Sequence, residues 1–97
     1  MPELTGAELI AAERKRQIEE EGWDEQHDDQ WAIDALAEAG ACYALAAHYR
    51  DDLASADAVP VLFRLGPEWW KPTPTDRVKE LVKAGALIAA EIDQILR

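Results

Sequence analysis

Two stripes of small and apolar residues, each with its members three and four apart, commit this chain to a helical fold. Ala32, Ala35, Ala39, Cys42, Ala46 and Tyr49 form one; Val78, Leu81, Gly85, Ile88, Ile92 and Ile95 form the other. A 3-4-3-4-3 spacing keeps returning to one face of an α-helix, whereas a strand would need alternation. Side chains this small let helices approach closely, so the two stripes predict that their helices pack together. Gly40, inside the first stripe, costs about 1 kcal/mol relative to alanine, a cost offset if a neighbouring helix lies on the bare backbone.

Capping residues set the boundaries. Thr5 and Glu8 have the spacing of a capping box, and Gly22 supplies a left-handed stop, which predicts a first helix from Gly6 to Glu21. Asp28 or Asp29 caps the second helix, which runs to Asp51–Ala54. Thr75 caps the third, with Asp76 in its first turn and Arg97 at its end matching the helix dipole. Between helices two and three, Pro60, Gly66, Pro67, Pro72 and Pro74 forbid a long helix over residues 55–75. Val59, Val61, Leu62, Phe63, Leu65, Trp69 and Trp70 are too apolar for solvent, so this segment should fold back on the helices or on a second subunit. The expectation is one all-α domain over residues 1–97, a helical bundle of three main helices with a Pro/Trp-rich irregular segment. Its apolar surface exceeds what three short helices cover, which predicts a homo-oligomer, at least a dimer.

Charge narrows the partners. Ten basic residues face twenty acidic ones, a net charge of -10 that argues against binding long nucleic acids. The longest nearly uncharged, proline-free stretch, Ala35 to Ala47, is broken by Glu38 and is too short to span a bilayer. Residues 1–5 lack a secretion signal and Cys42 has no cysteine partner, so a cytoplasmic location is expected.

In so acidic a chain the few cations stand out beside the tryptophans. Arg14 and Arg16 on helix one, Lys71 next to Trp69 and Trp70, Arg77 and Lys83 on helix three, and Trp23 in the first linker suit a nucleotide, with phosphate held by charge and base stacked on indole. The plainer reading pairs Arg14 and Arg16 with Glu19 and Glu20 on a solvated face and makes the tryptophans core or interface anchors. A second set, His27, Asp28, Asp29, Asp34 and Glu38, has the donors for Mg²⁺ or Mn²⁺, although helix capping explains the first three without a metal. Glu91 on helix three can face Glu38 across the pair. Cys42 reads as a packed thiol, and His48 as a complement to its helix dipole.

Several of these residues together resemble small proteins of tailed phages and prophages. The similar segments are Glu13-Arg14-Lys15-Arg16-Gln17, Glu21-Gly22-Trp23, His27-Asp28-Asp29, an Ala-rich helix with Tyr43, Trp69-Trp70-Lys71-Pro72, and Arg77 with Leu81 to Ile92. The resemblance spans nearly the whole chain and implies a bacterial host cytoplasm and a role against host defence or on nucleotide pools. A partial likeness to the MazG-like all-α NTP pyrophosphohydrolases implies an alternative, a metal-dependent enzyme using Asp34, Glu38 and Glu91. The EExxE and ExxD frame of that class is not reproduced, since Glu91 and Asp93 are two apart. Three functions are therefore carried forward. The first is capture of a nucleotide or nucleotide-derived signal, needing no cofactor. The second is Mg²⁺- or Mn²⁺-dependent NTP cleavage. The third is inhibition of a host protein through Trp69 and Trp70.

Overall fold

A computed structural model of the chain describes residues 3–45 and 63–97. Among these residues four α-helices occur, α1 Gly6–Glu20, α2 Glu25–Asp29, α3 Ala35–Ala44 and α4 Arg77–Leu96, with a 3-10 turn over Pro67–Trp69 and no strand. The all-α class expected from the stripes is thus met, with four helices in place of three. Ala46, His48, Tyr49, the expected end of helix two, Val59, Pro60, Val61 and Leu62 lie outside the described residues.

The first helix forms as its capping box requires. Glu8 N donates to Thr5 Oγ1 at 3.2 Å and Thr5 N to Glu8 Oε1 at 2.9 Å. Those bonds to Thr5 hold the Glu8 carboxyl below its ordinary value. Gly22 is left-handed, at φ 72°, and Trp23 N closes back on Gln17 O at 2.9 Å.

The long second helix does not form. Asp24, instead of Asp28 or Asp29, caps the short α2 by accepting from His27 N at 3.0 Å. The chain then breaks and re-enters helix at Asp34, which sits at φ 75° without a side-chain cap of its own. Helix α4 supplies what the break leaves open. Gln94 Nε2 donates to Asp28 O at 3.1 Å and Trp31 O at 2.9 Å, closing the end of α2. The buried Glu91 carboxylate accepts from Asp34 N at 3.3 Å and Ala37 N at 3.0 Å, capping the start of α3. At the other end of α3, Arg77 Nη1 donates to Tyr43 O and Leu45 O, both at 3.0 Å, and Nη2 to Ala44 O. Asp76, one residue after the expected Thr75, caps α4 itself through Lys79 N.

Helices α3 and α4 pack together as expected, but through a different face of α4. Ala35, Leu36, Ala39, Cys42 and Tyr43 are buried with Ala84, Leu87 and Ala90. A Cβ at Gly40 would lie 2.9 Å from Ala84 O and 3.1 Å from Ile88 Cγ1, so the bare backbone is required for the approach. Val78, Leu81, Ile88, Ile92 and Ile95, expected at this contact, remain 43–61% exposed. The stripe turned inward lies one residue earlier throughout: Arg77, Glu80, Ala84, Leu87, Glu91 and Gln94. It carries the polar groups that close the ends of α2 and α3, and a buried backbone amide or carbonyl without a partner costs more than an exposed isoleucine. Of the proline-rich segment, Phe63 and Leu65 are buried, and Trp70 lies against Tyr43 and Phe63 with ring centroids 4.8 and 5.0 Å apart.

Two substitutions probe these contacts. Gly40→Ala gains helix propensity but forces α3 off the Ala84 carbonyl, and should lose about 1–3 kcal/mol in urea unfolding. Glu91→Gln leaves one of the two α3 amides facing an NH₂ group, and should lose about 1–3 kcal/mol in the same assay.

Candidate functional site

One face of α1 begins the site. Glu13, Arg16 and Gln17 stand three and four apart, followed by Glu21 just past the helix. Glu13 grips Arg16 with both oxygens, Oε1 to Nε at 2.7 Å and Oε2 to Nη2 at 2.9 Å, while Glu21 Oε1 takes Nη1 at 2.9 Å. The Arg16 hydrogen bonds hold the Glu13 carboxyl below its ordinary value, and those from Glu13 and then Glu21 raise the guanidinium. Gln17 is buried and donates Nε2 to Glu13 Oε2 at 3.1 Å.

The opposite wall comes from the 71–73 loop and the first turns of α4. Tyr43, on α3, fixes the loop: its hydroxyl donates to Trp69 O at 3.1 Å and accepts from Lys71 N at 2.8 Å. Thr73 N donates to the buried Glu80 carboxylate at 3.1 Å. Lys83 Nζ donates to Lys71 O at 3.1 Å and stands 4.9 Å over the Tyr43 ring. Burial lowers the Lys83 ammonium below the ordinary lysine value, with nearby Glu13 opposing the shift.

Between these walls lies a cleft of about 560 Å³ lined by Glu13, Arg16, Glu21, Lys71, Pro72, Thr73, Lys79, Val82 and Lys83. Four cations face two carboxylates there, a local positive excess in a chain of net charge -10. Five of the same residues also line a narrow chamber of about 40 Å³ walled by Gln17, Trp23, Tyr43, Leu65, Trp69 and Leu87. Three buried polar atoms of lining residues have no hydrogen-bond partner: Gln17 Oε1, Trp23 Nε1 and Thr73 Oγ1. Buried polar groups are paired in the great majority of folded proteins. Here an acceptor, a donor and a hydroxyl are all unpaired beside one cationic cleft.

Of the cation and indole set read from sequence, the fold brings Arg16, Trp23, Trp69, Lys71 and Lys83 together. Arg14 points elsewhere, because Asp28 is fully buried and a buried carboxylate must be paired. Arg14 Nη2 meets Asp28 Oδ2 at 2.8 Å, Nη1 donates to Trp23 O at 3.2 Å, and Nε lies 3.7 Å from Asp93 Oδ2. Arg77 is taken by the carbonyls ending α3, and Trp70 by the Tyr43–Phe63 cluster. Carboxylates of the acidic set are taken up by other partners. Glu38 holds Arg64 at 2.6 and 3.0 Å and Glu91 caps α3, while Asp29 pairs with Arg97. His27 Nδ1 faces Asp28 Oδ1 at 3.0 Å and its ring stacks on Trp23, 5.3 Å between centroids. Among the described residues no group of three metal-ligating side chains converges, and Glu38 and Glu91, two of the three carboxylates read for Mg²⁺ or Mn²⁺, are engaged by Arg64 and by the start of α3. Cys42 is buried in the core, as read.

A larger cavity, about 770 Å³, opens among Arg14, Asp24, Glu25, Asp93 and Arg97. Its two guanidinium groups face three carboxylates, which leaves it acidic, so it suits a phosphate poorly. Glu13, Gln17, Tyr43, Thr73 and Lys79 were not singled out for the site from sequence. The i, i+3, i+4 set Glu13, Arg16 and Gln17 was the one local signal, and it looks like any solvated helix face. No family model, curated protein or solved structure matches the chain.

The depressed Lys83 value carries a stability consequence. The folded protein releases this proton at lower pH than the unfolded chain, so the cost of burying the charge is present at neutral pH and fades as pH rises toward the lysine range. Lys83→Met should therefore melt no lower than the parent protein at pH 7, and its melting temperature should gain less between pH 7 and 10, as read by calorimetry.

Proposed function

We propose that the chain is a phage- or prophage-borne binding protein that captures a nucleotide or nucleotide-derived signal in the cleft between α1 and the start of α4. The observation that carries this reading is the cluster of Arg16, Lys71, Lys79 and Lys83 beside three unpaired buried polar atoms and the edge of Trp69. The lysines supply point charges for phosphate oxygens, while Arg16, with its guanidinium held by Glu13 and Glu21, contributes to the wall of the cleft and is not a free phosphate donor. Gln17 Oε1 and Trp23 Nε1, an acceptor and a donor, face a chamber of about 40 Å³, the size of a water and not of a base, so they suit a bridging water, and the Trp69 indole beside them is the surface for the base. Phage origin rests on the sequence resemblance, as do a place in the host cytoplasm and an action against host defence. The enzyme alternative loses support because Glu38 holds Arg64 and Glu91 caps α3, and the host-inhibitor alternative with the packing of Trp70.

Isothermal titration with mono-, di- and cyclic nucleotides tests the reading. At least one should bind with heat, and binding should weaken as salt rises. Lys71→Ala and Lys83→Met should each weaken it about 10-fold or more, the usual weight of a hydrogen bond to a charged group. Inorganic pyrophosphate binding as tightly as every nucleotide would reduce the site to an anion trap without base recognition. A flat thermogram with all of them would end the proposal.

A further inference from the structure

We infer that the outward stripe of α4 is the seam of a homodimer in which the α4 helices of two copies run antiparallel. Val78, Leu81, Ile88, Ile92 and Ile95 are large, apolar and 43–61% exposed on the longest helix of the described residues. They are not scattered. With Gly85 they hold the a and d positions of three consecutive heptads, a and d alternating from Val78 to Ile95, which is the pattern two helices use to pack on each other. A lone helix on a globular surface has no use for a second apolar stripe, since its inward stripe, Arg77 to Gln94, already faces α3.

The occupant follows from the stripe's own symmetry and size. Placed antiparallel about a two-fold axis between Ala86 and Leu87, Val78 meets Ile95 of the second copy, Leu81 meets its Ile92, and the Ile10 seated on Gly85 meets its Ile88. Every layer pairs a position with a larger or equal one, and the helix dipoles oppose. Ile10 of α1 reaches over Gly85, where a Cβ would lie 2.5 Å from its Cδ1, so the Ile88 of the second copy lands on an apolar floor. At roughly 30 Å² per buried carbon, the five exposed portions amount to about 300 Å² per copy. Both copies together, with the polar share of a normal interface added, reach about 1,000 Å², the lower bound of a specific dimer. Of the flanking positions, Val82, Ala89 and Leu96 are apolar and Ala84 and Glu91 are buried, which leaves Arg77 as the one partly exposed charge beside the seam, so two chains of net charge -10 meet along a nearly neutral strip. Their repulsion acts from outside the seam and is screened by salt, so dimerisation strengthens as salt rises, opposite to nucleotide binding.

Light scattering during size exclusion reads the result on the whole chain. The expected mass is twice 10.8 kDa at 100 µM and at 150 mM salt. Ile92→Lys and Ile95→Lys, both at exposed positions, should each shift the mass to that of one chain with an unchanged helical circular dichroism spectrum. Orientation is read by disulfide capture: Val78→Cys mixed with Ile95→Cys should give a covalent dimer on oxidation, and neither variant alone should. Capture of Val78→Cys with itself would overturn the antiparallel arrangement. A parent protein of single-chain mass at all concentrations would overturn the dimer. Lysine variants that melt far below such a monomer would place another segment of the same chain on the stripe.

Discussion

Helix α3 is held at both ends by side chains of a single other helix. Glu91 accepts the amides that open it and Arg77 donates to the carbonyls that close it, from positions fourteen residues apart on α4. At 1.5 Å per residue those two positions are about 21 Å apart, against about 15 Å for the ten residues of α3, leaving one cap beyond each end. The fit works for an antiparallel pair in one register. A one-turn slip would leave a buried carboxylate without donors and a guanidinium without acceptors, each costing several times what an apolar slip costs. Polar capping thus fixes the register, and Gly40 against Ala84 sets how close the two helices come.

The cleft inherits its geometry from that register. Tyr43 lies one residue from the end of α3, and Arg77 binds its carbonyl while its hydroxyl organises Trp69 and Lys71. Lys83, two turns into α4, is brought over the Tyr43 ring by the same alignment. The far wall arrives through α1, whose Glu13–Arg16–Gln17 face meets these groups because Ile10 seats on Gly85. Arg14 holds the opposite side of α1 to Asp28, so the two arginines of this helix serve different tasks: one anchors α2, the other faces the cleft. Lysines packed closely beside one another, with one of them half-buried, are a standing electrostatic cost.

Much of the architecture was legible in the chain. The capping box at Thr5 and Glu8, the left-handed Gly22, the pairing of the alanine-rich helix with the last one and the inward fold of Phe63 and Leu65 all follow from local chemistry. The break between α2 and α3 was not legible, because the groups that stabilise it, Glu91 and Gln94, lie more than fifty residues away. Nor was the inward face of α4. A hydrophobic pattern points to Val78 through Ile95, and the face that turned in is half polar, so the apolar signal selected its neighbour one residue on.

Sequence by itself determined that this chain is helical, where its first helix starts and stops, and that scarce cations and tryptophans are its distinctive chemistry. Periodicity and capping are local, and local rules read them. Tertiary structure decided which stripe is buried, that Arg16, Lys71 and Lys83 share a cleft while Arg14 and Arg77 do not, and that the carboxylates of Glu38 and Glu91 serve an arginine and a helix end. Those outcomes turn on which buried polar group finds a partner, a competition settled between residues distant in the chain.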